Sequence, residues 1–114
     1  MAGKITVLVV DDDPTIRMLC RINLELDGYA VLEAGSLGDA RQLAEVADVV
    51  LLDVHVGGGD GLAFVAEVRE VGAGVALLTG SAELGPDHGA DAVIGKPFTI
   101  DELRETVERL GSGG

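Results

Sequence analysis

Tryptophan is missing from this chain, and aromatic residues make up only 3% of it, two Phe and one Tyr. That leaves no aromatic surface on which nucleic-acid bases could stack. It also makes the expected core aliphatic, built from Val, Leu, Ile and Ala. There is a single cysteine, Cys20, which excludes an internal disulfide and fits a reducing cytosol. Nothing near it in sequence supports a redox role, so it reads as a small buried apolar residue on a helix. Basic residues are scarce, with 8 Lys and Arg against 20 Asp and Glu and a formal net charge of −12. Nucleic acid and anionic membrane are bound through Lys and Arg contacts with phosphate. Neither is expected as a direct partner; proteins or cations are. No apolar run approaches the ~20 residues that span a bilayer. Met1-Ala2-Gly3-Lys4 passes straight into a short strand without a signal peptide, so the expected location is cytoplasmic.

What the chain does have, within 114 residues that suit one domain, is an alternation of short apolar runs and amphipathic stretches. The runs predict strands at 5–10, 29–33, 48–53, 75–79 and 92–95. Runs of this kind, apolar throughout and bounded by turn residues, fit a parallel sheet buried on both faces. Helices are predicted at about 14–26, from Ser36 onward, at 61–70, and over the last stretch from Ile100. Asp13 is the expected N-cap of the first helix, with Pro14 at its first position and Gly28 stopping it. Ile16, Leu19, Cys20 and Leu24 form its expected apolar stripe. Ala40, Leu43 and Ala44 face inward from the second helix, and Asp60 caps the third. Thr99-Ile100-Asp101-Glu102 has the form of a capping box, followed by the stripe Ile100, Leu103, Val107 and Leu110.

Alternating strands and helices imply an α/β fold of three layers with helices on both faces. The segment between Thr79 and the fifth strand contains Gly80, Gly85, Pro86 and Gly89. Each internal glycine costs a helix ~1 kcal/mol and a proline ~3 kcal/mol, so the fourth helix is expected to be shortened or irregular. The expected domain is 1–110, with Gly111-Ser112-Gly113-Gly114 a flexible tail or linker. Met1 suggests a natural start; the far side is open, so the chain reads as a stand-alone domain or one excised from a longer protein.

Four of the apolar runs end on residues able to handle a metal or a phosphate: Asp11-Asp12, Asp53, Thr79 and Lys96. In open parallel sheets the ligand site lies outside the carboxyl ends of the strands, so these residues should meet. Two carboxylates ~5 Å apart repel by ~3 kcal/mol at an effective dielectric of 20, so such a cluster must protonate, pair with bases or bind a cation. A small acidic pocket with few protein ligands suits Mg²⁺ better than Ca²⁺. A carboxylate nucleophile, a metal, an ammonium group and a hydroxyl together constitute a phosphoryl-transfer site.

Val-Val-Asp11-Asp12-Asp13-Pro14, Leu-Leu-Asp53, Asp60-Gly61-Leu62, Leu-Leu-Thr79-Gly80 and Gly95-Lys96-Pro97-Phe98 occur in this order over nearly the whole chain. In this the sequence resembles the receiver domain of bacterial two-component response regulators, chemotaxis regulators included. The resemblance implies a flavodoxin-like strand order of 2-1-3-4-5. It implies that Asp53 accepts a phosphoryl group from a histidine kinase or histidine phosphotransfer protein. It implies Mg²⁺ held by Asp11, Asp12, Asp53 and the backbone carbonyl of His55, phosphoryl oxygens bound by Thr79 and Lys96, and a cis Lys96–Pro97 peptide. Such a domain is a switch rather than an enzyme, although it can promote its own phosphorylation and dephosphorylation. Its output goes to a downstream protein or a fused effector domain.

Three departures from the family pattern bear on output, the curtailed fourth helix being one. Gly57 stands where a proline is usual, four residues after the acceptor, and Val93 stands where an aromatic switch residue is usual. A pseudo-receiver that binds partners without phosphorylation is therefore an alternative. Asp11-Asp12-Asp13-Pro14-Thr15 also fits the Asp-x-Asp-x-Thr pattern of haloacid-dehalogenase-like phosphatases, in which the first Asp is the nucleophile. That family requires a longer chain. His55 and His88 read as loop residues. The triple glycine at 57–59 is not a phosphate-cradling P-loop, since no Gly-Lys-Ser/Thr follows.

Overall fold

Val7, Leu8, Val9 and Val10 are all fully buried, because this strand has apolar neighbours above and below it. They belong to β1 (Thr6–Val10), the first of five strands. The others are β2 (Ala30–Ala34), β3 (Val49–Asp53), β4 (Gly74–Thr79) and β5 (Ala92–Gly95). The computed structural model describes residues 4–56, 61–80 and 89–112. Among these, four helices alternate with the strands: α1 (Pro14–Leu26), α2 (Leu37–Ala44), α3 (Gly61–Glu70) and α4 (Ile100–Ser112). All strand pairings are parallel, in the order β2-β1-β3-β4-β5, as the resemblance implied.

Successive side chains of a strand point to opposite faces, and here each face has its own core. Leu8, Val10, Val50, Leu52, Val75 and Leu77 pack with α2 and α3 around Phe64 and Val68. Val7, Val9, Val49, Leu51, Ala76 and Leu78 pack on the other side with Cys20 and Leu24 of α1 and Leu103 and Val107 of α4. Each fully buried Leu or Val stabilises the fold by about 1.5–3 kcal/mol.

The local signals act as the sequence suggests. Asp13 caps α1, its side chain accepting from the Thr15 N–H, and Pro14 opens the helix. Gly28, just past the end of α1, has φ +94°, a conformation that favours glycine. Ser36 caps α2 by accepting from the Asp39 N–H. At α4 the capping box is complete: Thr99 Oγ1 accepts from the Glu102 N–H, and Glu102 accepts from the Thr99 N–H, each at 3.1 Å.

Three details differ. Leu19, which the sequence pattern puts in the buried stripe of α1, is 41% exposed. With Cys20 and Leu24 turned to the sheet, residue 19 is rotated about 100° away from the first of them. Strands β1, β2, β3 and β4 each differ from expectation by a residue at one or both ends. The last helix continues through Gly111 and Ser112, which the sequence assigned to the tail. A Cβ on Gly111 would lie 3.1 Å from Ile5 Cδ1, so at this position glycine allows the helix to lie against the start of β1. The expected irregular fourth helix falls mainly on 81–88, and the Asp60 cap, Gly57 and His88 likewise lie outside the described residues.

Candidate functional site

Register alone brings the acids together. Val10 pairs with Leu52, so Asp11 and Asp53 follow side by side at the ends of β1 and β3. Asp53 is paired in turn with Leu78, one residue before Thr79, and Thr79 pairs with Gly95, one residue before Lys96. The Lys96 N–H donates to the Thr79 carbonyl at 2.7 Å, which fixes the lysine at the same sheet edge. The Lys96–Pro97 peptide is cis. Asp11, Asp53 and Thr79 are buried, at 1%, 7% and 4% exposure, while Asp12 is exposed.

One carboxylate oxygen from each of Asp11, Asp12 and Asp53 lies within 4.8 Å of the others. Lys96 Nζ stands between two of these acids, 3.1 Å from Asp11 Oδ2 and 3.6 Å from Asp53 Oδ2. Burial by itself would lower the lysine's pKa; the hydrogen bond and charge of Asp11, and then the charge of Asp53, outweigh it and raise the pKa. The ammonium is thus firmly charged and partly neutralises the acids. Three hard oxygen donors in a small open cluster, with a single ammonium between them among the described residues, are a donor set that fits Mg²⁺.

Asp11 is tied down at every polar atom. Its N–H donates to the Ala34 carbonyl at 3.1 Å. Oδ1 accepts from the Asp13 N–H at 2.9 Å, Oδ2 accepts from Lys96, and its carbonyl accepts from Arg17 Nη1 at 2.6 Å. Asp53 is oriented differently: Oδ1 accepts from the His55 N–H at 3.0 Å, which leaves Oδ2 facing Lys96. His55 itself is exposed. The proximity of Asp11 also helps to hold the Cys20 thiol un-ionised. Burial first, then the nearby carboxylate, push its pKa up to about 11.

The structure therefore gathers Asp11, Asp12 and Asp53 into one cluster with Lys96 against Asp11 and Asp53, and with Thr79 and His55 on the same edge. Arg17 had no motif signal in the sequence; only its position one turn after the acids hinted at a connection. A cavity of about 550 Å³ opens at the opposite edge, lined by Asp48, Arg69, Asp91 and Arg109 among others, and includes none of the clustered acids.

The receiver-domain family model of response regulators matches residues 7–108. The chain belongs to the response regulator receiver family. It is 38% identical to the transcriptional regulatory protein AruR of Pseudomonas aeruginosa over 96% of this chain and 50% of that protein. The chain thus spans about half the length of the curated relatives it matches. A response regulator receiver domain protein from Methanospirillum hungatei, described as CheY-like, superposes with a TM-score of 0.86 at 28% identity, covering 95% of this chain and 94% of that one. A response regulator from Burkholderia pseudomallei, solved with a phosphorylated aspartic acid, a calcium ion and citrate, superposes with a TM-score of 0.83 at 26% identity, covering 96% and 70%. The receiver domain is a signalling domain of two-component systems. Among the described residues, no helix is long and apolar enough to cross a membrane.

Proposed function

We propose that this receiver domain is a phosphorylation switch whose acceptor is Asp53. The observation that carries the reading is the convergence of three carboxylates within 4.8 Å, with Lys96 bridging Asp11 and Asp53. Asp11, Asp12, Asp53 and the His55 carbonyl would hold Mg²⁺, which supplies charge neutralisation for an incoming phosphoryl group.

The His55 N–H fixes one Asp53 oxygen and leaves the other to attack phosphorus. A phosphorus–oxygen bond forms as the phosphorus–nitrogen bond of a phosphohistidine breaks. The electron pair leaves with the imidazole nitrogen of the donor. Lys96 then exchanges its Asp53 contact for a phosphoryl oxygen, and the Thr79 hydroxyl donates to another. Small phosphodonors would serve by the same route; in hydrolysis, water would attack phosphorus, the bond to the Asp53 oxygen would break, and the carboxylate would leave as inorganic phosphate is released. Asp53 suits the nucleophile's part better than Asp11, the residue the phosphatase alternative requires: both Asp11 side-chain oxygens accept hydrogen bonds at 2.9 and 3.1 Å, whereas Asp53 Oδ2 has only the 3.6 Å contact with Lys96.

The donor is a histidine kinase or a histidine phosphotransfer protein, and α1 is suited to receive it. Met18, Leu19, Ile22 and Leu26 are 41–77% exposed and lie along one face of the helix that starts beside the acids. Contiguous exposed apolar side chains mark an interaction surface. The output partner is a downstream protein or a fused effector domain, reached through a surface that includes Val93, 44% exposed on β5.

The test is intact mass after incubation with acetyl phosphate, with and without Mg²⁺. One metal-dependent phosphoryl adduct is expected on the wild type and none on Asp53→Asn. Absence of an adduct under every condition would favour the phosphorylation-independent pseudo-receiver instead.

A further inference from the structure

We infer that Arg17 is a positioning residue for the acidic cluster: its guanidinium locks the peptide that joins Asp11 to Asp12 and so sets where the Asp12 carboxylate stands. The inference rests on the receiver reading above. Arg17 Nη1 donates to the Asp11 carbonyl at 2.6 Å, and that carbonyl is half of the Asp11–Asp12 peptide group. Arg17 Nε donates to Glu33 Oε1 at 3.3 Å, while the other oxygen of Glu33 accepts from Arg21 Nε at 3.0 Å. The guanidinium is thereby braced from β2, the strand next to β1. Gly35 provides its space: a Cβ there would lie 3.1 Å from Nη1 and 3.7 Å from Cζ. The side chain is mostly buried, at 21% exposure, in a place where an unbraced arginine would extend into water.

The need for such a brace follows from Asp12. Asp11 has a partner at each polar atom, and Asp53 is held by the His55 N–H. For the carboxylate of Asp12 the described residues show no hydrogen bond or ion pair. Its position is inherited from its backbone, and the peptide on its amino side is the one Arg17 grips. Outer partners that orient ligands are commonly worth tenfold or more in metal affinity.

Charge alone would act in the opposite direction. A cation beside the cluster repels a divalent ion, so an arginine acting only through charge would weaken metal binding, and its removal would tighten it.

The experiment is a titration with Mn²⁺, a spectroscopic stand-in for Mg²⁺, followed by the electron paramagnetic resonance signal of the free ion. It compares the wild type, Arg17→Ala, Arg17→Lys and Gly35→Ala, each checked for folding by circular dichroism. Arg17→Ala should bind Mn²⁺ about tenfold more weakly. Arg17→Lys, which keeps the charge but loses the fork, should fall between, and Gly35→Ala should shift in the same direction. Labelling by acetyl phosphate at saturating Mg²⁺ should stay within about twofold of wild type, because the loss lies in metal binding. Unchanged or tighter Mn²⁺ binding in the arginine variants, with wild type labelled normally, overturns the positioning role and leaves the receiver reading standing. A wild type that neither binds Mn²⁺ nor takes a phosphoryl group overturns both. If Arg17→Ala does not fold, Arg17→Lys and Gly35→Ala decide by the same criterion.

Discussion

Lys96 is a residue whose removal has a calculable consequence. Its ammonium lies between two acids that are 1% and 7% exposed. Taking away one partner of such a group leaves carboxylates close together without compensation. With the lysine itself half-buried, Lys96→Ala should lower stability by about 1–3 kcal/mol when no divalent cation is added. Mg²⁺ restores the missing positive charge, so it should raise the melting temperature of Lys96→Ala more than that of wild type. The pH dependence follows from the raised lysine pKa. A group whose folded pKa lies above its unfolded value stabilises the fold while protonated and loses that contribution as pH rises through the folded value. The stability difference between wild type and Lys96→Ala should therefore be full at pH 7 and narrow above the lysine's ordinary 10.5. Denaturant titrations at several pH values would show it. A difference independent of pH would mean that the lysine stabilises through packing alone. This residue and its acids were legible in the sequence because each ends an apolar run, and parallel strands deliver their carboxyl ends to one edge. Arg17 was not legible in the same way, because its role depends on a backbone carbonyl and on the side chain that Gly35 lacks.

Among the elements, α1 has two faces with different tasks. Cys20 and Leu24 are buried against β1 and β3, while Met18, Ile22 and Leu26, spaced four residues apart, are exposed. Period alone allows Leu19 in either set, since it borders the buried stripe, and tertiary packing leaves it on the exposed side. The caps were easier to read: Asp13, Ser36 and the Thr99–Glu102 box depend on short-range bonds that need no tertiary context. The exposed face supports a separation of docking from chemistry. Ile22→Asp should alter stability by no more than about 0.5 kcal/mol, since the site is on the surface. It should slow phosphoryl transfer from a histidine phosphotransfer protein that labels wild type by about tenfold, the effect of losing one buried apolar contact in an interface. Labelling by acetyl phosphate, which needs no docking, should be unaffected. Equal slowing with both donors would place the defect in the acceptor site rather than in α1.

For the molecule as a whole, the sheet is the device that makes a site from residues 85 positions apart in sequence, as in the Lys96–Asp11 contact. Strand identity followed from apolar runs, but strand order came from the family resemblance. Nothing in the composition of β1 or β3 says that they are neighbours until the Val10–Leu52 register is seen. The continuation of α4 over Gly111 escaped the sequence for a similar reason, because it depends on contact with Ile5 at the far end of the chain. With a formal net charge of −12, the molecule repels the anionic phosphodonor it is proposed to use, and a cation at the acids would offset this locally. The most direct measurement is to locate the phosphoryl group itself: label the domain with acetyl phosphate and Mg²⁺, reduce with borohydride, and map the peptide in which an aspartate has become homoserine. The account predicts a single conversion at Asp53 that requires Mg²⁺. Conversion at Asp11 or Asp12, or labelling that proceeds unchanged without a divalent cation, would contradict it.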